Sequence, residues 1–274
     1  MIIHNENLNI EQIAESGQCF RMNPIEKNTY SLIAYGRYLE LKQIDESTVE
    51  FRCSEEEFKQ LWKEYFDLTF NYKKIVDGLI NGSDDFLKKA AEYGRGIRIL
   101  KQEPFEALIS FIISQNKNIP AIKSCIEAIC KQYGERKINK ELGGAEYYIF
   151  PRPEVLAQAR CEDLRQCKTG YRDQYIIRAA QAVASGKLDL DSLIKCSHEE
   201  AVETLKSIHG VGIKVANCVS LYGLHHIEAF PVDVWIKKIL KEIYQDKFDL
   251  NAYHGFAGIV QQYMFYYIRS NLIS

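Results

Sequence analysis

The sequence predicts an α+β fold, with a small N-terminal antiparallel sheet and associated helices followed by a large all-α part. Two observations carry this prediction. Short segments with alternating apolar residues follow one another before residue 54, and from about Phe86 onward the apolar residues recur at helical spacing. We therefore expect an N-terminal α+β domain over residues 1–95 and a helical domain over residues 96–274. A chain of 274 residues is long enough for such a division.

The N-terminal part contains three segments with the composition of strands, at residues 30–35, 37–43 and 48–53. Each places aromatic and β-branched residues at alternating positions, and turn-forming residues separate it from the next. This spacing predicts an antiparallel meander. Ser54 followed by Glu57 then predicts a capping box at the start of a helix.

The remainder of the chain has helical signals. Residues 105–114 are almost entirely apolar, which predicts a central buried helix. Asn118 favours the start of the next helix and Gly134 its end. Residues 173–186 repeat the helical periodicity, and Ser197 begins a second capping-box pattern.

Charge and hydropathy exclude several classes of protein. The chain has 35 basic against 37 acidic residues, a net charge of −2, which does not suggest a nonspecific nucleic-acid coat protein. Any DNA binding would use a local surface. No apolar run approaches the ~18–20 residues that a membrane span needs. The N-terminal MIIHNENLNIEQ has no basic region leading into an apolar core, so we expect no secretory signal and a cytoplasmic location.

Eight cysteines are scattered along the chain, and none of them forms a CxxC pair. This spacing argues against a zinc ribbon or a thioredoxin-type redox site. We expect reduced, mostly buried thiols, no bound metal and no cofactor. The eight are Cys19, Cys53, Cys125, Cys130, Cys161, Cys167, Cys196 and Cys218.

The most informative stretch is LKSIHGVGIKVANCVSLYGL, residues 205–224. An amphipathic helix is expected to end at Ile208, after which Gly210, Val211 and Gly212 turn the chain into a second helix. Two glycines around one small apolar residue allow a tight turn whose N–H groups, beside a helix N-terminus, form a phosphate-binding nest. A plain αα-hairpin is the alternative, because GVG alone is a weak signal. The I-x-G-V-G-x-K-x-A spacing favours a helix-hairpin-helix at about 200–224 that binds the DNA backbone.

Lys214 is expected in the first turn of that second helix. Its neighbours, among them Ile213 and Val215, are apolar, and the helix dipole disfavours a positive charge there, so both effects favour a neutral, nucleophilic amine. Such a lysine suits Schiff-base chemistry; a solvated lysine is the ordinary alternative. Asp233 follows Pro231 where the next helix would begin, and its ordinary role is an N-cap. Facing Lys214, its carboxylate would also stabilise positive charge on a sugar.

GVGIKVANC followed by PVDVW resembles the catalytic core of the helix-hairpin-helix, Gly-Pro-Asp DNA glycosylases, and specifically of 8-oxoguanine DNA glycosylases of the bacterial type. The resemblance extends over nearly the whole chain. Its other signatures are SGQCFR at 16–21, FIISQNKN at 111–118, GYRDQY at 170–175 and GIVQQYMFYYIR at 258–269. Ordered signatures around a catalytic pair are highly specific to this family.

The resemblance implies a bifunctional repair enzyme, an N-glycosylase that is also an abasic-site lyase. Its partner would be double-stranded DNA containing 8-oxoguanine, and we expect a nucleoid-associated monomer. The damaged base must leave the stack before its C1′ is reachable. Lys214 would then attack C1′, expel the base and form a Schiff base that permits β-elimination. Asp233 would stabilise the transition state.

The resemblance also implies a set of base-binding residues. The main-chain carbonyl of Gly17 would accept the N7–H that 8-oxoguanine has and guanine lacks. With normal guanine, two lone pairs would face each other and leave buried acceptors unpaired. Cys218 and Phe265 would sandwich the flipped base, and Gln261 would contact its pyrimidine edge. Without the resemblance, Gly17 would be interpreted as an ordinary turn glycine, and Cys218 and Phe265 as core residues.

At the duplex, the resemblance makes Tyr171 the aromatic wedge, while Asn116 and the surface arginine Arg172 would read the cytosine opposite the lesion. Two positions depart from the family's eukaryotic members. Ala121 stands where they have an arginine, so one bidentate contact to cytosine is missing and we expect relaxed opposite-base specificity. Trp235 stands where they commonly have histidine, which puts the corresponding phosphate contact in doubt.

Three other interpretations of the sequence compete with this one. The endonuclease III and adenine-glycosylase branch usually binds an iron–sulfur cluster through four C-terminal cysteines, but no cysteine follows Cys218. Monofunctional alkylated-base glycosylases lack the lysine that Lys214 supplies. A non-catalytic helix-hairpin-helix protein would only bind DNA. In every DNA-binding reading, we expect affinity from a basic strip near Lys168, Arg172 and Arg178, with strong salt dependence.

Overall fold

The computed structural model describes residues 1–139 and 144–272. Its N-terminal strands are β1 (Ile2–His4), β2 (Met22–Glu26), β3 (Thr29–Ala34), β4 (Arg37–Gln43) and β5 (Thr48–Phe51). They form one antiparallel sheet in the order β1-β5-β4-β3-β2. The predicted meander is confirmed as β3, β4 and β5. The two edge strands were not predicted, because β1 is too short to show a period and β2 contains Pro24, which sequence rules confine to sheet edges.

The inner face of the sheet is covered by helices. The first is α1 (Ile10–Glu15), and a continuous helical segment follows β5 as α2 (Glu55–Glu57), a π-helical stretch (Phe58–Trp62) and α3 (Lys63–Tyr65). Only half of the predicted capping box forms at Ser54. Its hydroxyl accepts from the Glu57 N–H at 3.1 Å, but the Glu57 carboxylate accepts from the buried Trp62 indole at 2.8 Å instead of returning to the cap. Tertiary packing of the indole therefore outcompetes the local box.

The rest of the described chain is mainly helical. Its helices are α4 (Tyr72–Ile80), α5 (Asp85–Tyr93), α6 (Pro104–Ser114), α7 (Ile119–Tyr133), α8 (Pro153–Ala157), α9 (Cys161–Gln166), α10 (Asp173–Ala184), α11 (Leu190–Leu193), α12 (His198–Lys206), α13 (Ile213–Tyr222), α14 (Val234–Glu242) and α15 (Ala257–Leu272). Two 3-10 turns occur at Gly170–Arg172 and Leu250–Tyr253, and a small hairpin of β6 (Arg136–Asn139) and β7 (Ala145–Tyr148) interrupts the helices. That hairpin was not predicted.

The helix predictions are confirmed in their main features. Helix α6 is central, since its residues from Ala107 to Ile113 are all buried. Asn118 caps α7, which ends at Gly134, and Ser197 forms a complete capping box at α12. Helix α12 ends two residues earlier than expected, at Lys206.

The C-terminal helix α15 joins the two ends of the chain. The Gln262 amide donates to the Ser16 carbonyl at 2.9 Å, and the Tyr222 hydroxyl donates to the Gln262 oxygen at 2.6 Å. Both glutamine groups are buried, so these bonds fix the N-terminal segment against α13 and α15. The turn after α1 is thereby placed beside the helical core.

Five of the eight cysteines are buried, namely Cys19, Cys125, Cys130, Cys167 and Cys218. Within residues 1–139 and 144–272, no helix is both long and apolar enough to cross a membrane.

Candidate active site

One pocket gathers all six residues expected to bind the base or act on its sugar. It is lined by Gly17, Lys214, Cys218, Asp233, Gln261 and Phe265, together with Ser16, Phe111, Tyr222 and Pro231. These residues come from the turn after α1, from α6, α13 and α15, and from the approach to α14. The signatures that are far apart in sequence therefore converge on one site.

Lys214 lies in the first turn of α13 and is partly buried. Its ammonium nitrogen is 5.6 Å from the centre of the Phe111 ring. The expected apolar surroundings are only partly supplied by sequence neighbours: Val215 is buried, but Ile213 is 57% exposed. Ile213 and Val215 point about 100° to either side of Lys214 around the helix, and only the Val215 side faces the core. Helix α6 supplies the apolar wall instead.

Asp233 is the N-cap of α14, as predicted. One carboxylate oxygen accepts from the Trp235 N–H at 3.0 Å and from the Ile236 N–H at 2.9 Å. Burial raises the pKa of this carboxyl, while the two backbone bonds and the charge of Lys214 act in the opposite direction. The cap fixes the orientation of the carboxylate at the wall of the pocket.

Gly17 has a backbone conformation suited to glycine, with φ of +77°. A Cβ at this position would lie 3.1 Å from Phe265 Cε1, so the glycine also allows the aromatic ring to approach the backbone. Within the described residues, no hydrogen bond to the Gly17 carbonyl is found. This carbonyl can therefore accept a bond from a ligand.

Gln261 and Cys218 complete the wall. The buried Gln261 amide donates to the Pro231 carbonyl at 3.1 Å, and its oxygen lies 3.4 Å from the Tyr222 hydroxyl, whose proton is donated to Gln262. The bond to Pro231 holds the amide in one orientation. Cys218 lies one turn after Lys214 on the same face of α13. Burial raises the pKa of its thiol and the nearby Lys214 amine opposes that rise.

Sequence reasoning missed two aromatic residues of the pocket. Phe111 and Tyr222 are stacked with ring centres 5.3 Å apart and an interplanar angle of 19°. The sequence places Phe111 in an almost entirely apolar helix and Tyr222 in the second helix of the hairpin, and it assigns neither a role in the site. Their spacing is ordinary for a core, so no local signal distinguishes them. They line the pocket only because α6 packs against α13.

A second, open groove contains the predicted backbone-binding turn. It is lined by Gly210, Val211 and Gly212 together with Gln115, Tyr171, Tyr175, Lys206, Ser207, Ile208 and His209. Among the residues that the structure describes, no side chain caps the N-terminus of α13, so its first N–H groups are not satisfied by a local cap. The Gln115 amide donates to the Gly210 carbonyl at 3.1 Å and fixes the turn to the end of α6. Free donors facing an open groove suit a phosphate.

The predicted wedge residues lie next to this groove. The Tyr171 side chain is 53% exposed, and its hydroxyl accepts from the Asn116 amide at 3.2 Å. Arg172 is not the surface arginine that was expected, since it is only 5% exposed. Its guanidinium donates to the carbonyls of Thr169 and Gln115 and lies 4.3 Å from the centre of the Tyr171 ring. These carbonyls replace water as hydrogen-bond acceptors for the guanidinium. A sequence pattern does not show that they lie within reach of it.

The two departing positions are both at helix starts. Ala121 lies in the first turn of α7, where its N–H donates to the Asn118 side chain at 3.0 Å. Trp235 lies in the first turn of α14 and donates its N–H to Asp233. Of the expected basic strip, Lys168 and Arg178 are exposed, whereas Arg172 is buried.

Three features together define a class of protein, the helix-hairpin-helix DNA glycosylases. They are a hairpin that leaves a helix N-terminus open, an exposed tyrosine beside that hairpin, and a pocket that contains a lysine and an aspartate. Residues 1–108 match the family described as 8-oxoguanine DNA glycosylase, N-terminal domain, and residues 109–252 match the HhH-GPD superfamily of base excision DNA repair proteins. The chain belongs to the HhH-GPD superfamily, in the branch that carries the N-terminal domain of 8-oxoguanine DNA glycosylases.

Relatives and solved structures agree with this membership. The chain is 34% identical over 269 residues to the N-glycosylase/DNA lyase of Saccharomyces cerevisiae, covering 89% of this chain and 70% of that protein. It is 32% identical over 233 residues to a probable N-glycosylase/DNA lyase of Methanothermobacter thermautotrophicus, covering 74% and 72%.

A solved structure extends the similarity to the fold. It is the 8-oxoguanine glycosylase/lyase of Clostridium acetobutylicum in complex with double-stranded DNA containing cytosine opposite 8-oxoguanine. The two share a TM-score of 0.91 and 36% identity, over 99% of this chain and 98% of that one. The predicted family and fold class are confirmed.

Proposed function

We propose that this protein excises 8-oxo-7,8-dihydroguanine from duplex DNA and then cleaves the strand at the resulting abasic site. The observation that carries the proposal is the single pocket that holds Lys214 and Asp233 beside Gly17, Cys218, Gln261 and Phe265. A lysine and a carboxylate suffice for the sugar chemistry, and the other four residues supply the surface for a flipped base. We further propose that it acts as a monomer at the nucleoid, where its substrate lies.

Recognition of the damaged base depends on the Gly17 carbonyl. The flipped base lies between the Cys218 thiol and the Phe265 ring in this proposal, with its N7–H donated to the Gly17 oxygen. Guanine has a lone pair at N7, so it would leave this carbonyl facing another acceptor in a buried site. The Gln261 amide, already fixed by its bond to Pro231, contacts the pyrimidine edge.

Base release follows from attack of the Lys214 nitrogen on C1′ of the flipped nucleoside. The new N–C1′ bond forms as the C1′–N9 bond breaks, and the base departs with that electron pair and gains the proton that the amine loses. The Asp233 carboxylate stabilises the positive charge that develops on the sugar. Its two backbone hydrogen bonds keep it oriented before the substrate arrives.

Strand cleavage follows on the same lysine. The sugar ring opens to give a protonated Schiff base, which makes the C2′ hydrogen acidic. Loss of that proton forms the C1′–C2′ enamine, and expulsion of the 3′ phosphate completes the β-elimination. The same Lys214 nitrogen thus serves both activities.

We propose that opposite-base specificity is relaxed because Ala121 cannot contact the base opposite the lesion. Substituting Ala121→Arg should increase the preference for cytosine by about 1–3 kcal/mol of discrimination, the typical value of one bidentate pair. Single-turnover base release from duplexes with 8-oxoguanine opposite each of the four bases measures this. A wild-type preference already equal to that of Ala121→Arg would contradict the proposal.

Borohydride trapping on a duplex carrying 8-oxoguanine tests the function. The reductant should convert the Schiff base into a permanent protein–DNA adduct with the wild-type protein. The adduct should disappear in Lys214→Gln and persist in Lys195→Gln, which changes an exposed lysine outside the pocket. Base release by the wild type without any adduct would indicate attack by water, and neither base release nor adduct would indicate a protein that only binds DNA.

A further inference from the structure

Three cations lie together beside Tyr171. The Lys117 amine donates to the Lys168 carbonyl, and the Arg172 guanidinium donates to the carbonyl of Thr169, the next residue, so the three meet at one turn. Their charges all oppose the burial that raises the pKa of the nearby Cys125 thiol to about 11. Within the described residues none of the three forms an ion pair, and a cationic cluster that no carboxylate neutralises attracts an external anion.

Hydrogen bonds hold two of these cations in position. The Lys117 amine donates to the Lys168 carbonyl, and the Lys168 amine lies 3.2 Å from the Ser124 hydroxyl of α7. Lys168 has φ of +63°, and Asn116, directly before Lys117, has φ of +51°. Such left-handed conformations are uncommon outside glycine and persist where surrounding contacts hold them. Unlike the buried Arg172, Lys168 is exposed and Lys117 is partly so.

The position of the lysine pair relative to Tyr171 indicates which DNA strand it meets. Tyr171 lines the hairpin groove, and its hydroxyl contacts Asn116, the residue directly before Lys117. Neither Lys117 nor Lys168 lines that groove or the pocket of Lys214, as far as the described residues go. A wedge at Tyr171 leaves the damaged strand on the side of the pocket and the hairpin. The opposite strand then passes on the side of α7.

We propose that Lys117 and Lys168 bind the phosphates of the DNA strand opposite the lesion. This inference rests on the proposed function, because it takes Tyr171 as the wedge and the pocket as the site of the damaged base. A lysine ammonium is a compact charge with rotatable donors, which suits a phosphate and does not impose the planar geometry that distinguishes bases. Phosphate contacts position a strand without reading its sequence. The pair therefore holds the opposite strand whichever base it carries.

Binding of a non-cleavable duplex tests the proposal with the full-length protein. The duplex carries a tetrahydrofuran abasic analogue opposite cytosine, adenine, guanine or thymine, and the affinity is measured as a function of salt. Lys117→Gln and Lys168→Gln should each weaken binding by about fivefold, equally for all four opposite bases, and lower the salt slope by about 0.9 per lost contact. Lys131→Gln, an exposed lysine near the other end of α7, should change neither quantity.

Uncharged methylphosphonate linkages assign the strand. Placed on either side of the unpaired base in the opposite strand, they should abolish the difference between Lys168→Gln and the wild type. Placed beside the abasic analogue in the damaged strand, they should leave it intact. The proposal is overturned if the Lys168→Gln penalty depends on the opposite base, if it disappears only with the damaged-strand substitution, or if it equals that of Lys131→Gln.

Release of 8-oxoguanine by the wild type, measured separately, distinguishes the two proposals. If the lysine pair does not bind the opposite strand, base release and borohydride trapping still proceed at Lys214. If the proposed function fails, the wild type releases no 8-oxoguanine, whatever the lysine substitutions do to binding of the abasic analogue.

Discussion

At the scale of single residues, Asp233 combines a structural role with the electrostatics expected of a catalytic group. Its carboxylate caps α14 through two N–H donors, an arrangement that normally stabilises the charged form. Burial nevertheless raises its pKa above the ordinary value of 3.8. The folded protein therefore holds this carboxylate in a setting that disfavours its charge. A carboxylate whose charged form is disfavoured before the reaction is suited to stabilising a positive charge that appears only during the reaction.

Asp233→Asn should abolish most activity without lowering stability at neutral pH. Because the folded pKa is raised, the favourable contribution of this carboxyl is present below its unfolded pKa and is lost as pH rises through its folded pKa. Asparagine keeps the cap and mimics the neutral form, so the variant should match the wild type in acid and equal or exceed its stability at neutral pH. Single-turnover base release should fall by about 10²–10³.

Thermal unfolding at a series of pH values measures how the stability difference between Asp233→Asn and the wild type changes with pH. Asp189 provides the control. Asp189 caps α11, and hydrogen bonds from Ser192 lower the pKa of its carboxyl. Asp189→Asn should therefore be the less stable protein at neutral pH, and the difference should vanish as pH falls through the folded pKa. A loss of stability in Asp233→Asn at neutral pH as large as that in Asp189→Asn would contradict the argument.

At the scale of elements, the hairpin between α12 and α13 depends on two glycines for different reasons. Gly210 has φ of +91°, and a Cβ there would lie within 2.6 Å of the Tyr175 ring. Gly212 has an ordinary extended backbone, and a Cβ there would meet no atom within 4 Å. The first glycine is required by folding. The second leaves space in front of the N–H groups of α13, which is what an approaching phosphate needs.

Gly210→Ala should therefore mainly lower the stability of the fold, whereas Gly212→Ala should mainly weaken DNA binding. Gly210→Ala should cost about 2–4 kcal/mol of unfolding free energy, from backbone strain and overlap with Tyr175. Gly212→Ala should cost less than about 1 kcal/mol, the loss expected at an N-cap, yet weaken DNA binding. Denaturant unfolding and binding of an abasic-analogue duplex measure the two quantities. Normal DNA affinity in Gly212→Ala would show that the nest does not bind phosphate.

At the scale of the whole molecule, the pocket exists because the two ends of the chain meet. The turn after α1 brings Gly17 against Phe265 of α15, and the buried bond from Gln262 to Ser16 holds them together. Lys214 and Asp233 come from the middle of the helical part. In the proposed function, Gly17 and Phe265, which contact the base, therefore come from other parts of the chain than Lys214 and Asp233, which act on the sugar.

Gly17→Ala should separate these two activities. The added Cβ would strain a backbone with φ of +77° and displace the Phe265 ring, so excision of 8-oxoguanine should fall by about tenfold or more. Cleavage at a preformed abasic site should stay close to the wild-type rate, because Lys214 and Asp233 are unchanged. Gly36→Ala, at φ of +69° with its nearest neighbour 3.9 Å away, controls for backbone strain outside the pocket. An equal loss of both activities in Gly17→Ala would argue against a role restricted to the base.

The sequence by itself determined the features that depend on short-range physics. Ser197 and Asp233 are caps, Gly210 is a turn glycine and Lys214 lies in the first turn of a helix, because a helix end, a positive φ and the first turn are decided by a few adjacent residues. The resemblance of ordered signatures added the family and its base-binding set. The five-stranded order was only partly predictable, since very short edge strands carry no period.

Only the tertiary structure decided which side chains face the site. Phe111 lies beside Lys214 because α6 packs on α13. Arg172 is buried where two carbonyls from separate segments accept its hydrogen bonds. Ile213 turned out to be exposed although it adjoins Lys214. The pairing of Lys117 with Lys168 likewise depends on two distant turns meeting. Burial and charge pairing are properties of the packed molecule, because they depend on which elements meet and not on the order of residues within any one of them.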